Sequence, residues 1–236
     1  MKRSISFLLI LAAMPSLAQE PDLEALKKLP ALPFKQESVV VLPGVVMAID
    51  EAFAAQNENK APDAPFTIIV PTGKNLSFLP GGKKTGNPEL VQLGTALPDK
   101  RSIELLRLAG LSVPILQDPA DRLKLCAQML KAQGQTMVTK DFKDLRFLDT
   151  YATKIGGYDA VCLHGLMTRV AGNDQYAVKL AGILHPTQKG GVLASLMADT
   201  KLSLIKKPEE LGAKGIALTI IHSVKFIEPV KTAAKP

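Results

Sequence analysis

Apolar residues recur along this chain in short blocks whose spacing changes several times. Ser38-Val39-Val40-Val41-Leu42 has strand composition, and Pro43-Gly44 breaks it. From Val45 to Gln56, Val46, Ile49 and Phe53 fall three and four residues apart, with Asp50 and Glu51 on the other side. That spacing predicts an amphipathic helix. A polar, proline-containing linker follows over 57–65. Phe66-Thr67-Ile68-Ile69-Val70 is a strand run ended by Pro71-Thr72-Gly73. Residues 79–88 are dense in glycine, proline and asparagine, which predicts an exposed, mobile loop. Leu90 to Ala96 and Ser102 to Ala109 read as two further strands.

Asp118-Pro119 opens a helix, with Asp as N-cap and Pro at the first helical position. It runs to about Gln133, where Gly134 stops it, and its core face is Leu123, Cys126, Ala127 and Leu130. Tyr158 to Arg169, Gln175 to Leu184 and Val192 to Asp199 then read as three strands. The turns between them, 172–174 and 186–190, are short, which implies an antiparallel meander. Pro208 to Ser223 reads as a final helix with apolar rows Leu211, Gly215, Leu218 and Ile216, Ile220, Val224. Within 158–169, Val161, Leu163 and Met167 stand opposite Cys162 and Leu166. A sheet apolar on both faces needs cover on both. The fold class expected is therefore α+β, a mostly antiparallel sheet flanked by helices in an α/β/α sandwich.

The first residues belong to a different pattern. Lys2 and Arg3 precede the apolar run 5–13, and Pro15-Ser16-Leu17-Ala18 ends it. This is the layout of a secretory signal peptide, cleaved between Ala18 and Gln19. The apolar run is shorter than the roughly 20 residues that cross a bilayer, so no stable membrane span is expected after cleavage. The chain divides into a leader at 1–18, an N-terminal arm with a strand and a helix at 19–63, the sandwich domain at 64–227 and a tail at 228–236. The expected location is the periplasm or the exterior. The formal charge of +7 is spread over pairs such as Lys27-Lys28, Lys83-Lys84 and Lys206-Lys207 rather than gathered in one stripe, and there is no Trp. A basic groove with stacking aromatics is missing, so nucleic acid is not an expected partner.

Three short segments carry a family resemblance: Val70-Pro71-Thr72-Gly73, Gly156-Gly157-Tyr158-Asp159-Ala160 and Ser223-Val224-Lys225-Phe226. In their order, over residues 64–227, the chain resembles the PsbP-like α/β/α sandwich family. Lys74 departs from that pattern, which has an aromatic there. The resemblance implies an antiparallel sheet with a helical layer on each face, and a non-enzymatic accessory role in binding other proteins.

Candidate chemistry is sparse. Cys126 and Cys162 are the only cysteines. Export favours a disulfide between them, closing 36 residues and stabilising the fold by about 4 kcal/mol; two separate buried thiols are the equal alternative. Cys162 and His164 share a strand face, but a structural zinc site needs four ligands, and no metal site or cofactor is expected. Ser203 and Lys206 match Ser-x-x-Lys by spacing alone. Thr72-Gly73-Lys74 lacks the glycine that a phosphate loop needs five residues earlier, where Ile68 stands. Asp141 and Asp144 suit a solvated loop as well as acid–base work. The function expected is that of an exported, non-catalytic accessory protein that binds another envelope protein. Its contact surface would be the loop containing Gly81, Gly82, Lys83 and Lys84, and the arm. The alternatives are a carrier of a small apolar ligand, and an envelope enzyme whose His164, His222 or carboxylates line a cleft.

Overall fold

The strands buried along most of their length, over 158–169, 175–184 and 191–199, form the middle of one large sheet. The computed structural model describes residues 34–36, 44–72, 76–83, 86–96, 102–137, 141–215 and 217–228. The elements are β1 (Phe34–Gln36), β2 (Gly44–Ile49), α1 (Glu51–Gln56), β3 (Phe66–Pro71), β4 (Ser77–Gly82), β5 (Asn87–Ala96), β6 (Ser102–Leu111) and α2 (Pro119–Gln135). They continue with β7 (Phe142–Ile155), β8 (Tyr158–Arg169), β9 (Gln175–Leu184), β10 (Gly191–Asp199), α3 (Ala217–His222) and β11 (Lys225–Phe226), with a 3₁₀ turn at Pro208–Glu210. Eight strands form the large sheet in the order β1-β7-β8-β9-β10-β6-β5-β4, and three form a small one, β11-β3-β2. Every neighbouring pair is antiparallel except β1 beside β7. The protein is α+β, a mostly antiparallel sheet flanked by helices.

Alternation along β8 and β9 splits the core in two. Cys162, Ala181, Ile183 and Ala160 join Phe66, Ile68 and Ile220 on one side of the sheet. Val161, Leu163, Leu180 and Leu184 join Leu123, Leu125, Cys126 and Leu130 of α2 on the other. Asp118 caps α2 by accepting the Ala120 N–H at 2.8 Å. The helix passes through Gly134 before it ends, because Phe147 occupies the space a side chain there would need.

Four expectations need correction. Residues 45–49 are strand, not helix: β2 pairs with β3 from Gly44 opposite Pro71 to Ile49 opposite Phe66. Helix begins only after Asp50, which accepts the Phe53 N–H at 2.9 Å. The run 208–223 is broken by Gly212 and Gly215, both at positive φ (80° and 77°), so helix survives only as α3. The supposed mobile loop 79–88 is mostly strand, β4 and β5 around a short turn. Residues 142–155, given no element above, form the longest strand, β7. The strand predicted at 38–42, the Ala18–Gln19 cleavage site and the tail from 229 lie outside the described residues. Ile49 and Ala54 are buried with the rest of the core, so 44–56 is part of the sandwich rather than of a separate arm.

Helix α2 approaches the sheet closely at Gly182. A Cβ there would overlap the Cys126 sulfur and lie 3.1 Å from Leu111 Cδ2. Gly182→Ala is expected to lower stability by about 1–3 kcal/mol, as overpacking does. Adding Cys126→Ala should recover much of that loss. Urea denaturation of the two single variants and the double variant measures the coupling, and strict additivity would contradict it.

Candidate binding face

One helix is too narrow to cover eight strands. Helix α2 packs across β7, β8 and β9. On the same side, β10, β6, β5 and β4 present a face that no described residue fully covers. Register defines two rows across it. Leu79, Gln92, Arg107 and Ser195 stand side by side, and Ser77, Gly94, Leu105 and Met197 form the next row. Ser195 is opposite Leu180, which packs under α2, so these rows share the α2 side. Leu79 is 44% exposed, whereas Leu105, Ser195 and Met197 are half-buried.

Where this face meets the end of α2, a cleft of about 480 Å³ opens. Its apolar lining is Leu105, Met137, Phe142, Met167 and Met197, and its polar groups are the Glu89 and Asp141 carboxylates, the Arg107 guanidinium, Gln133, Thr136 and Ser195. Methionine is unbranched and polarisable, which suits a surface that must adapt to its occupant. Arg107 sits among these groups with its side chain 44% exposed, 3.6 Å from a Glu89 carboxylate oxygen. That is an ion pair beyond hydrogen-bonding distance.

The opposite end of the sheet holds a smaller cavity, about 210 Å³, beside Arg122 and His185. Arg122 is buried and gives its N–H groups to the carbonyls of Pro114, His185, Gln188 and Gly190 at 2.6–3.2 Å. His185 Nδ1 accepts the N–H groups of Thr187 and Gln188 at 3.2 and 3.0 Å. Its proton therefore belongs on Nε2. The motif residues meet here: Tyr158 packs edge-on to Phe226 and accepts the Phe226 N–H, and Phe226 lies against His185. Ser223 accepts the Ile69 N–H at 2.7 Å. These contacts tie β3, the β7–β8 turn and β11 together, so Tyr158, Ser223 and Phe226 serve packing. Gly73 lies outside the described residues.

Other candidate residues separate. Cys126 and Cys162 are both free, both buried, and lie in clusters on opposite sides of the sheet, so the disulfide is replaced by two thiols. Burial, and secondarily the other cysteine, pushes the Cys126 thiol up to about 12. Gly81 and Gly82 are buried within β4, where their missing side chains admit the backbones of Glu89 and Asn57. Lys83 is exposed in the turn, and Lys84 lies outside the described residues. His164 is buried and within 3.1 Å of the Tyr151 hydroxyl, with Lys179 Nζ 6.0 Å from the Tyr151 ring centre. This Tyr151–His164–Lys179 group escaped the sequence reading, although a lysine and a histidine at inward strand positions could have signalled it. His222 is buried against the Gly212 carbonyl. Neither the cleft, nor the Arg122 cavity, nor a third hollow of about 200 Å³ beside Pro62 reaches these residues. Among the described residues no group of three metal-ligating side chains occurs.

No protein-family model matches the chain, and no curated protein is significantly similar in sequence. Solved structures are similar in fold. LpqN, involved in cell envelope biogenesis of Mycobacterium tuberculosis, is 17% identical, with a TM-score of 0.44 over 78% of this chain and 92% of LpqN. The Saccharomyces cerevisiae Ran-binding protein Mog1p is 11% identical, with a TM-score of 0.39 over 77% of this chain and 95% of Mog1p. A Bacteroides thetaiotaomicron protein is 12% identical, with a TM-score of 0.38 over 70% of this chain and 46% of its own.

Two measurements follow from these placements. Unreduced, unfolded protein should take up two alkyl groups by mass spectrometry, and native protein at pH 8 none. A single-step mass gain that requires reductant would restore the bridge. Burial also holds the His185 imidazole below its ordinary value of 6.5, with Arg122 lowering it further and Glu228 opposing. The unfolded chain then takes up this proton at higher pH than the folded one. The contribution is complete above about pH 6.5 and is lost as pH falls through the folded value. His185→Asn keeps an acceptor for the two N–H groups. It should flatten the fall in melting temperature between pH 7 and 5, and an unchanged slope would place the titration elsewhere.

Proposed function

We propose that this chain is an exported, non-catalytic accessory protein of the PsbP-like family that binds another envelope component through its open sheet face. The observation that carries this reading is the half-buried face of β10, β6, β5 and β4, with a methionine-lined cleft at its edge. Surfaces of this kind, apolar and rimmed by polar groups, mark interaction sites. The leader pattern of residues 1–18 supports export, and no described helix is long and apolar enough to cross a membrane. The burial of Tyr151, His164 and Lys179 away from the three cavities described supports a non-catalytic role.

A second reading is favoured by one feature. At about 480 Å³, the cleft falls within the range of small-molecule sites, so a small apolar ligand is the alternative occupant.

The test places a benzophenone side chain at Leu105, and separately at the 76% exposed Leu204, in cells of the native host. Irradiation should give an adduct from position 105 that is absent from position 204. Leu105→Asp should reduce recovery of the same partner at least tenfold with little change in melting temperature. Adducts from 204 alone would move the binding surface elsewhere. Native mass spectrometry showing a bound small molecule, with no protein adduct, would favour the carrier reading.

A further inference from the structure

We infer that the open face seats an amphipathic helix of a partner protein, laid beside α2, whose carboxylate pairs with Arg107. The inference rests on the reading of this face as the binding surface and names the kind of segment that fills it.

Backbone chemistry narrows the choice. The flat of a sheet offers side chains, because its N–H and C=O groups are spent on neighbouring strands. An extended peptide lying there would bury its own backbone groups without partners, at a cost comparable to a lost hydrogen bond for each. A helix satisfies those groups internally and brings only side chains. Dimensions agree. From β10 across β6 and β5 to β4 are three strand spacings, about 14 Å in all. A helix with its side chains is about 10–12 Å wide. Ten-residue β5 and β6 run for about 33 Å, room for a helix of up to about 22 residues. Leu79, Leu105 and Met197 would meet its apolar stripe, while Ser77, Gly94 and Ser195 leave shallow places between them.

Arg107 adds a requirement of its own, in a cleft that also holds the Glu89 and Asp141 carboxylates. Covering the face removes water from Arg107, whose Glu89 partner at 3.6 Å is beyond hydrogen-bonding distance. A guanidinium taken out of water needs acceptors in good geometry. A carboxylate on the incoming helix supplies two, in the paired arrangement arginine prefers.

Two phage libraries test this on the chain from Gln19 to Pro236. One displays 18-residue helix-patterned peptides with randomised polar positions, and the other displays extended peptides of alternating pattern. The helical library should yield binders carrying Asp or Glu. By fluorescence polarisation, Arg107→Glu should weaken them at least tenfold, and exchanging the peptide's acid for Lys should restore binding to that variant. Ser195→Trp should block the seat while leaving the melting temperature within a few degrees. Binders drawn only from the extended library, or helices indifferent to Arg107→Glu, would overturn the inference. A photo-adduct between position 105 and the chain's own residues 19–33 would overturn it too. If extended peptides or apolar small molecules bind and Ser195→Trp blocks them, the helix is wrong but the face stands. If nothing that binds responds to Ser195→Trp, both readings fall.

Discussion

Strands β8, β9 and β10 bury side chains on both faces, and water must be kept from each. Val161 and Cys162, adjacent in sequence, belong to separate clusters on the two sides of the sheet. The small sheet, α3 and the segment around Leu211 close one side. On the other, α2 packs mainly on β7, β8 and β9 and reaches Leu111 of β6 and Leu193 of β10 only at one end of those strands. The open face is the remainder of this arrangement, left where the covering layer ends before the sheet does. Its residues are intermediate in character because their position is: Leu105 and Met197 are apolar enough to be covered, while Gln92, Arg107 and Ser195 make exposure bearable.

The same geometry makes the two ends of the sheet unlike each other. At the β9–β10 turn, Arg122 gives its N–H groups to backbone carbonyls and His185 Nδ1 accepts two backbone N–H groups, while His185 Nε2 is buried without a hydrogen-bond partner among the described residues, and Tyr158 and Phe226 pack alongside. Two of the three short segments, around Tyr158 and Phe226, converge on this same end. At the other end Arg107 keeps its charge in partial contact with water, and the cleft beside it is walled by side chains that can rearrange. Rigidity is built at one pole and adaptability at the other.

Much of the fold was legible wherever periodicity and capping acted together. The α2 start is encoded locally by Asp118-Pro119, and the turns around Gly172 and Gly190 define the meander β8-β9-β10. The failures have physical causes. β7 was invisible because its first half lies near a sheet edge, is exposed on both faces and carries bulges after Lys143 and Phe147, so no alternation survives. β2 looked helical because Val46, Ile49 and Phe53 match a helical spacing, but pairing with β3 decides short apolar segments. Gly81 and Gly82 were read as flexibility when they serve close approach. The open face was not legible at all, since its rows combine residues from four strands that only register brings together.

The disulfide misreading explains why the face was also beyond sequence reasoning. Cys126 on a core-facing helix and Cys162 on a buried strand looked like partners, because both are apolar positions of adjacent layers. Whether they meet depends on one parity: Val161 and Leu163 point to α2, so Cys162 points away from it. A shift of one residue along β8 would reverse that assignment and the entire core with it. The same parity places Leu105, Arg107, Ser195 and Met197 on the α2 side, and Leu106, Leu108 and Leu196 on the closed side. The free thiols and the open face are thus two consequences of one register.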